Sequence, residues 1–290
     1  MHFETALELT ADPRVCELSL DPVDLAVKTV DALMASGHPE RAVKLVKAQL
    51  AHLPAGAPAH HRARLLMSLA SAVLSLDNAG DPLELTTEAL ALVPDEPTPM
   101  RARVLSLHAR AHLFHGLDEM AAQQAMEALG LAQKLDLTSL VADVTTTLAG
   151  IDDRAGDAET AQRVLDEVIE RAHRDGDVHA ELRSRYLLAS LQHERGELVK
   201  AKAAYHAGYV VARESGRPWA PYGFEARLME AHVAYQLGDW DDVMELTAVG
   251  GQAPPPIPEA TLLGVRAMCV VHRGDPSAEQ VLDQLRPLWP

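Results

Sequence analysis

The chain has 290 residues, 48% of them hydrophobic, with 42 acidic against 26 basic side chains and a formal net charge of −16. That charge repels nucleic acid and anionic membrane surfaces, so direct nucleic-acid binding is excluded, and no apolar run approaches the ~20 residues of a membrane span. No basic-apolar leader stands at the front, and Cys16 and Cys269 lie at opposite ends; a soluble cytoplasmic protein is expected, with both cysteines as packing residues rather than a disulfide or a metal site.

In chain order, residues 1–20 carry no turn glycine and are expected to form an irregular N-terminal cap, with a single repeat array over 21–290. Within it, Gly37, Gly80, Gly116, Gly156, Gly196, Gly238 and Gly274 recur at intervals of 43, 36, 40, 40, 42 and 36 residues, each flanked by amphipathic helical patterns. A period of this size marks a solenoid of helical hairpins. Glycine closes the first helix of each hairpin; Asp81, Asp157, Asp239 and Asp275 follow as N-caps, and Pro39, Pro82 and Pro276 are expected at the first position of the second helix. The stretch Ala-Pro-Pro-Pro-Ile-Pro at 253–258 is the one low-complexity segment. The last helix ends Val281-Leu282, Leu285, Leu288-Trp289-Pro290, an apolar face that further repeats, a homodimer partner or the folded-back N-terminus would cover.

Aligned on the glycines, alanine recurs seven positions before the turn (Ala109, Ala149, Ala189, Ala231, Ala267) and five after it (Ala42, Ala121, Ala161, Ala201). Small residues at those offsets let two antiparallel helices approach closely. On this pattern the chain resembles the tetratricopeptide repeat (TPR) family, best over Arg183 to Glu214, where Leu188, Ala189, Gly196, Ala201, Tyr205 and Gly208 fall on the family's positions. The resemblance implies an all-α, right-handed α-solenoid of about seven TPR-like hairpins. Residues 100–290 are also similar to the helical-repeat region of LuxR-type, MalT-like transcription regulators, through 194–201 (Glu-Arg-Gly-Glu-Leu-Val-Lys-Ala), 219–223 (Trp-Ala-Pro-Tyr-Gly) and 237–241 (Leu-Gly-Asp-Trp-Asp). That similarity implies a sensor arm which binds an effector or partner protein and couples this to assembly or activity of the regulator. A free-standing TPR scaffold for protein–protein interaction is the alternative.

Enzyme chemistry finds no anchor: Gly-x-Ser-x-Gly, Gly-x-Gly-x-x-Gly, His-Glu-x-x-His and Cys-x-x-Cys are all missing, so no catalytic site, cofactor or metal is expected. His108, His112 and His115 share a helical face at metal-ligand spacing but read as packing and surface residues, and adjacent His60 and His61 are expected to point apart. Asp152-Asp153 and Asp241-Asp242 are expected to favour the positive N-termini of the helices that follow them.

Binding is the expected role. In the TPR family the first helices line the concave groove, and the matching positions here are Arg103, Ser106, Arg110, Thr146, Asp153, Arg183, Tyr186, Ser190, His193, Glu225, Met229, His232 and Tyr235. Arginines and tyrosines suit a protein or peptide partner or a small anionic effector. Eight of eleven aromatics lie between 186 and 240, and Trp219, Tyr222 and Phe224, flanked by Pro218 and Pro221, are expected in an extended contact loop between hairpins.

Overall fold

The computed structural model describes residues 4, 5, 7, 21–76, 79–249 and 254–288. The expected cap over 1–20, Cys16 and the closing Trp289-Pro290 therefore lie outside the described residues, apart from Glu4, Thr5 and Leu7. Among the described residues there are fourteen helices and no strand. The chain forms two compact units, residues 1–161 and 162–290.

Unit 1 holds α1 (Pro22–Ala35), α2 (Pro39–His52), α3 (Ala59–Val73), α4 (Pro82–Ala91), α5 (Pro99–Phe114), α6 (Asp118–Lys134) and α7 (Thr138–Arg154), and α8 (Ala158–Asp175) begins in it. Unit 2 continues with α9 (Val178–Glu194), α10 (Leu198–Glu214), α11 (Pro221–Leu237), α12 (Trp240–Leu246), α13 (Pro256–Arg273) and α14 (Ala278–Leu285). Within unit 1 the first helices of successive hairpins, α1, α3, α5 and α7, lie side by side, each also packed on its sequence neighbours. In unit 2 the first helices α9, α11 and α13 do the same. This is the layering of a TPR-like helical-repeat solenoid.

The turns explain the regularity. All seven glycines have positive φ, and so do Gly176, Gly216 and the non-glycine Asp136 (φ 54°). From Gly116 to Gly216 a left-handed residue thus stands at every twentieth position, twice the frequency read from the glycines alone. At each, the next residue's N–H donates to the carbonyl five residues back, as in Leu117 to His112 (3.0 Å), Leu137 to Ala132 (2.9 Å), Asp177 to Ala172 (2.9 Å) and Glu197 to Gln192 (2.9 Å). That is the Schellman closure. The same residue's own carbonyl then accepts the first bond of the next helix, as Leu117 does from Ala121 and Glu197 from Ala201 (2.9 Å each). One residue ends one helix and starts the next, which leaves no slack in the connection.

Helix starts follow the expected chemistry with adjustments. Asp81 and Asp157 cap with their side chains, accepting from Leu83 N (2.8 Å) and Thr160 N (3.2 Å). Pro39 and Pro82 open α2 and α4, but Pro276 lies two residues before α14, where Asp275 accepts from Ser277 N (2.8 Å). Asp241 and Asp242 do sit in the first turn of α12. Asp152 and Asp153 do not sit at an N-terminus: they end α7, and Asp157 occupies the cap of the next helix. Burial and the charge of Asp157 accordingly raise the Asp152 carboxyl above the usual range. His60 and His61 meet edge-on, ring centroids 4.4 Å apart, rather than pointing apart.

The cores confirm the crossing points. Ala42, Ala109, Ala121, Ala149, Ala161, Ala189, Ala201 and Ala231 are fully buried, and Ala267 nearly so. α10 and α11 approach closely: a Cβ on Gly223 would lie 2.5 Å from the Ala212 Cβ. Among the described residues Tyr205 is the largest fully buried side chain. Leu282, Leu285 and Leu288 pack around buried Val281 against the core of α13, so the apolar face of α14 turns inward there. Pro256 to Pro258, of the 253–258 stretch, form the first turn of α13. Cys269 is buried among apolar side chains. No described helix is long and apolar enough to cross a membrane.

Candidate functional site

The expected groove positions fall into two groups with different chemistry. In unit 1, Arg103 is exposed and Arg110 is half-buried and engaged by other groups of the chain. Ser106 is buried and its Oγ donates to Asp143 Oδ2 (2.8 Å), while the buried Thr146 hydroxyl donates to the Ala142 carbonyl (2.8 Å). Beside them, two of the three expected surface-or-packing histidines are buried together. Thr86 donates its hydroxyl to the Pro82 carbonyl (2.8 Å), so its oxygen accepts from His108 Nδ1–H (2.8 Å), and the bare Nε2 of His108 faces the Nε2 of His112 (3.1 Å). This arrangement, with Nδ1 donating and Nε2 accepting, is that of a neutral His108 ring. Burial, then the proximity of His112, pushes His108 down to about 4. Burial, then His115, lowers His112 as well, and its Nδ1 is buried without a partner. His115 lies elsewhere, bonded to the Asp81 carboxylate (2.9 Å).

In unit 2 the expected residues converge. On α9, His179, Arg183, Tyr186, Ser190 and His193 succeed one another at steps of four and three; on the adjacent α11, Tyr222, Glu225, Met229, His232 and Gln236 do so at steps of three and four. Both sets are therefore single stripes on their helices. Tyr205 enters from α10. Ring centroids run in a chain: His179 to Tyr222 at 5.8 Å, Tyr222 to Tyr186 at 5.9 Å, Tyr186 to Tyr205 at 5.8 Å, and Tyr205 to His193 at 6.3 Å. Ser190 Oγ and the Tyr205 hydroxyl are hydrogen-bonded (3.1 Å), and His193 Nε2 meets Gln236 Oε1 (3.0 Å).

The electrostatics of this cluster are set by burial. Glu225 is half-buried among the rings, and burial raises its carboxyl to about 7. Burial and then the Glu225 charge push the Tyr186 phenol up, and burial followed by His193 lowers His232. Arg183 is buried and engaged by other groups, so it is not an open anion contact.

Three expected contacts are placed differently. Tyr235 belongs to the next step of unit 2, stacked on Trp240 (6.4 Å, 15° between planes) and hydrogen-bonded through its hydroxyl to His272. The expected extended loop is mostly helix: Pro221 is the first residue of α11, so Tyr222 and Phe224 are helical. Phe224 is buried 6.3 Å from Trp219, and the Arg227 guanidinium sits over the Trp219 and Tyr209 rings while donating to the carbonyls of Leu246 (2.7 Å) and Ala248 (2.8 Å). Of that trio only Tyr222 joins the ring cluster. Tyr205, expected at one of the repeat's own positions, is core, and its hydroxyl bond to Ser190 ties it to the stripe of α9 as well.

This fold and face define a helical-repeat protein of the TPR-like class. Among solved structures the chain is similar to a Rap protein complexed with competence and sporulation factor, at a TM-score of 0.56 and 13% identity over 92% of this chain and 87% of that one. It is also similar to BtubC (BKLC) from P. vanneervenii, at a TM-score of 0.52 and 16% identity over 78% of this chain and 90% of that one. No protein-family model and no curated protein matches the sequence.

Proposed function

We propose that the chain is the sensor and interaction arm of a LuxR-type, MalT-like transcriptional regulator. On this reading it takes a protein or peptide partner, or a small effector, on its first-helix face and relays that event to the regulator's assembly. The binding half is carried by one observation: α9 and α11 present polar and aromatic side chains in matched register on a framework of standardised turns and alanine crossings. The Rap structure, solved with a bound factor, lends the same half support by fold similarity. The regulator half is supported by the motifs at 194–201, 219–223 and 237–241. A partner that binds one arrangement of the hairpins better than another shifts their equilibrium by its differential affinity, and by reciprocity the regulator's state alters the partner's affinity.

Selection from a peptide-display library against the full chain, followed by calorimetry and light scattering, tests both halves. The expected result is a selected peptide that binds the chain, loses affinity in Tyr186→Ala at unchanged helicity, and changes the association state. Binding without any change of association state would favour the free-standing scaffold, and enrichment of no peptide would overturn the binding arm altogether.

A further inference from the structure

We propose that the ring cluster of α9, α10 and α11 is a seat for a cationic side chain, lysine or arginine, presented by the partner. This rests on the reading above that the first-helix face binds a partner, and it assigns that partner's chemistry at one place. The half-buried rings of Tyr186 and Tyr222 stand 5.9 Å apart on this face, and the fully buried Tyr205 backs Tyr186 from α10 at 5.8 Å. Aromatic faces carry negative charge density and attract ammonium and guanidinium groups. Glu225 lies one turn from Tyr222 on the same stripe of α11, near enough for its charge to act on Tyr186 and Tyr205.

Glu225 is what fixes the sign. The fully buried acids of unit 2 each meet a cation: Glu181 meets His173 (3.2 Å) and Arg185 (2.8 Å), and Glu230 meets His206 through Oε1 (2.9 Å) while its Oε2 stays without a partner. Among the described residues no cation and no hydrogen bond answers Glu225, and burial alone accounts for its raised carboxyl. A carboxylate withdrawn from water without a partner is costly, and an incoming cation removes that cost. Nothing in the cluster serves an anion equally well. Arg183 is already engaged, His193 is bonded to Gln236, and burial disfavours the charged form of His232. A purely apolar occupant would leave Glu225 buried and unanswered. One carboxylate and two phenols are a poor donor set for a metal ion, which wants several charged or imidazole ligands. A long stem ending in a positive charge matches what is present: methylenes against the rings, the charge at Glu225. The chain's net charge of −16 favours approach of the same partner.

The test is an NMR titration of the full chain carrying ring-labelled tyrosine, with four probes: the N-acetyl amides of lysine, arginine, norleucine and glutamate. The lysine and arginine amides should move the Tyr186 and Tyr222 signals at millimolar concentration, and Glu225→Gln should weaken their binding by about ten-fold or more while the fold is retained. Tyr186→Phe, which keeps the ring, should stay within about two-fold, and Tyr186→Leu should not. Equal binding of norleucine and lysine, preference for glutamate, or unchanged lysine affinity in Glu225→Gln would each overturn the proposal. If display-selected peptides bind this face with no lysine or arginine preference, the cation seat fails and the binding arm stands. If no peptide binds at all, the binding arm has failed first.

Discussion

α5 of unit 1 and α11 of unit 2 are built alike: each is the first helix of a hairpin, closes on a left-handed glycine, and places a fully buried alanine, Ala109 or Ala231, at the crossing point. Their polar groups are handled in opposite ways. In α5 the buried polar side chains answer one another within unit 1, Thr86 to His108 to His112, and Ser106 to Asp143. In α11 the stripe that faces α9 keeps Glu225 half-buried with no answering charge among tyrosine rings. The lesson is that the turn and the crossing recur whatever the polar face does, so that face is free to pair its groups internally in one unit and to leave a carboxyl unpaired in the other.

The largest effect that would break this comparison is loss of Tyr205, which is both core and part of the ring chain. Tyr205→Ala should cost about 3–5 kcal/mol of unit 2 stability by cavity formation. Tyr205→Phe should cost only about 0.5–1.5 kcal/mol, the net worth of the bond to Ser190. Chemical denaturation followed by hydrogen exchange on α10 measures both; near-equal costs would mean that the hydroxyl rather than the ring holds the site together.

Next is the close approach that brings α10 and α11 together. Gly223→Ala puts a methyl 2.5 Å from the Ala212 Cβ and 3.1 Å from the Arg217 carbonyl oxygen, neither of them the end of a flexible chain. A cost of about 1–3 kcal/mol is expected from overpacking. Gly216→Ala meets no atom within 4 Å and should lose only about 1 kcal/mol, through its φ of +72°.

The pH responses should separate the two faces most directly, because they run in opposite directions. Glu225 is raised from 4.5 to about 7 in the fold, so between those values the folded state holds more protons than the unfolded one, and unit 2 loses stability as pH rises through that window. Glu225→Gln should abolish that share of the loss and leave α11 more stable at pH 8 by about 1–3 kcal/mol. His108 is lowered from 6.5 to about 4, so there the unfolded state holds more protons, and unit 1 loses stability as pH falls from 6.5 toward 4. His108→Phe should flatten that response by about 2–3 kcal/mol. Hydrogen exchange read helix by helix across pH 4–8 checks both signs; a common sign in α5 and α11 would end the contrast between the faces.

The parts legible in the sequence were those fixed by single residues acting locally. Ala109, Ala189 and Ala231 announced the crossings, and Gly116, Gly196 and Gly238 the turns, because small volume and positive φ are properties of the residue itself. The twenty-residue half-period was there to be read in Gly176 and Gly216, but Asp136 takes the same conformation without being glycine and breaks the pattern. Asp152-Asp153 misled because proximity to a turn does not say which helix end the pair occupies. Pro221 was read as a sign of extended chain and is instead a helix start, for which its fixed φ suits it equally. At the site, Arg183, Tyr186, Ser190 and His193 on α9 and Glu225, Met229 and His232 on α11 followed from the repeat register, whereas His179 and Gln236 did not, and Tyr222 was expected in a loop. The isolation of Glu225 did not, since an unanswered charge is a property of everything around it and no spacing encodes that.

Asp136 offers the smallest test and one that sharpens the comparison from the side of the framework. Its φ of 54° places an L-residue where every other such turn from Gly116 to Gly216 uses glycine, yet it makes the same closure, with Leu137 N–H donating to the Ala132 carbonyl (2.9 Å). If the turns are interchangeable parts, Asp136→Gly should stabilise unit 1 by up to about 1 kcal/mol, the strain relieved being partly offset by the greater freedom of glycine in the unfolded chain. Thermal unfolding with exchange protection on α6 and α7 measures it. A destabilisation instead would mean that the Asp136 side chain contributes more to this turn than backbone strain costs it, and that the α6–α7 connection is a specialised joint rather than one more copy of the common turn.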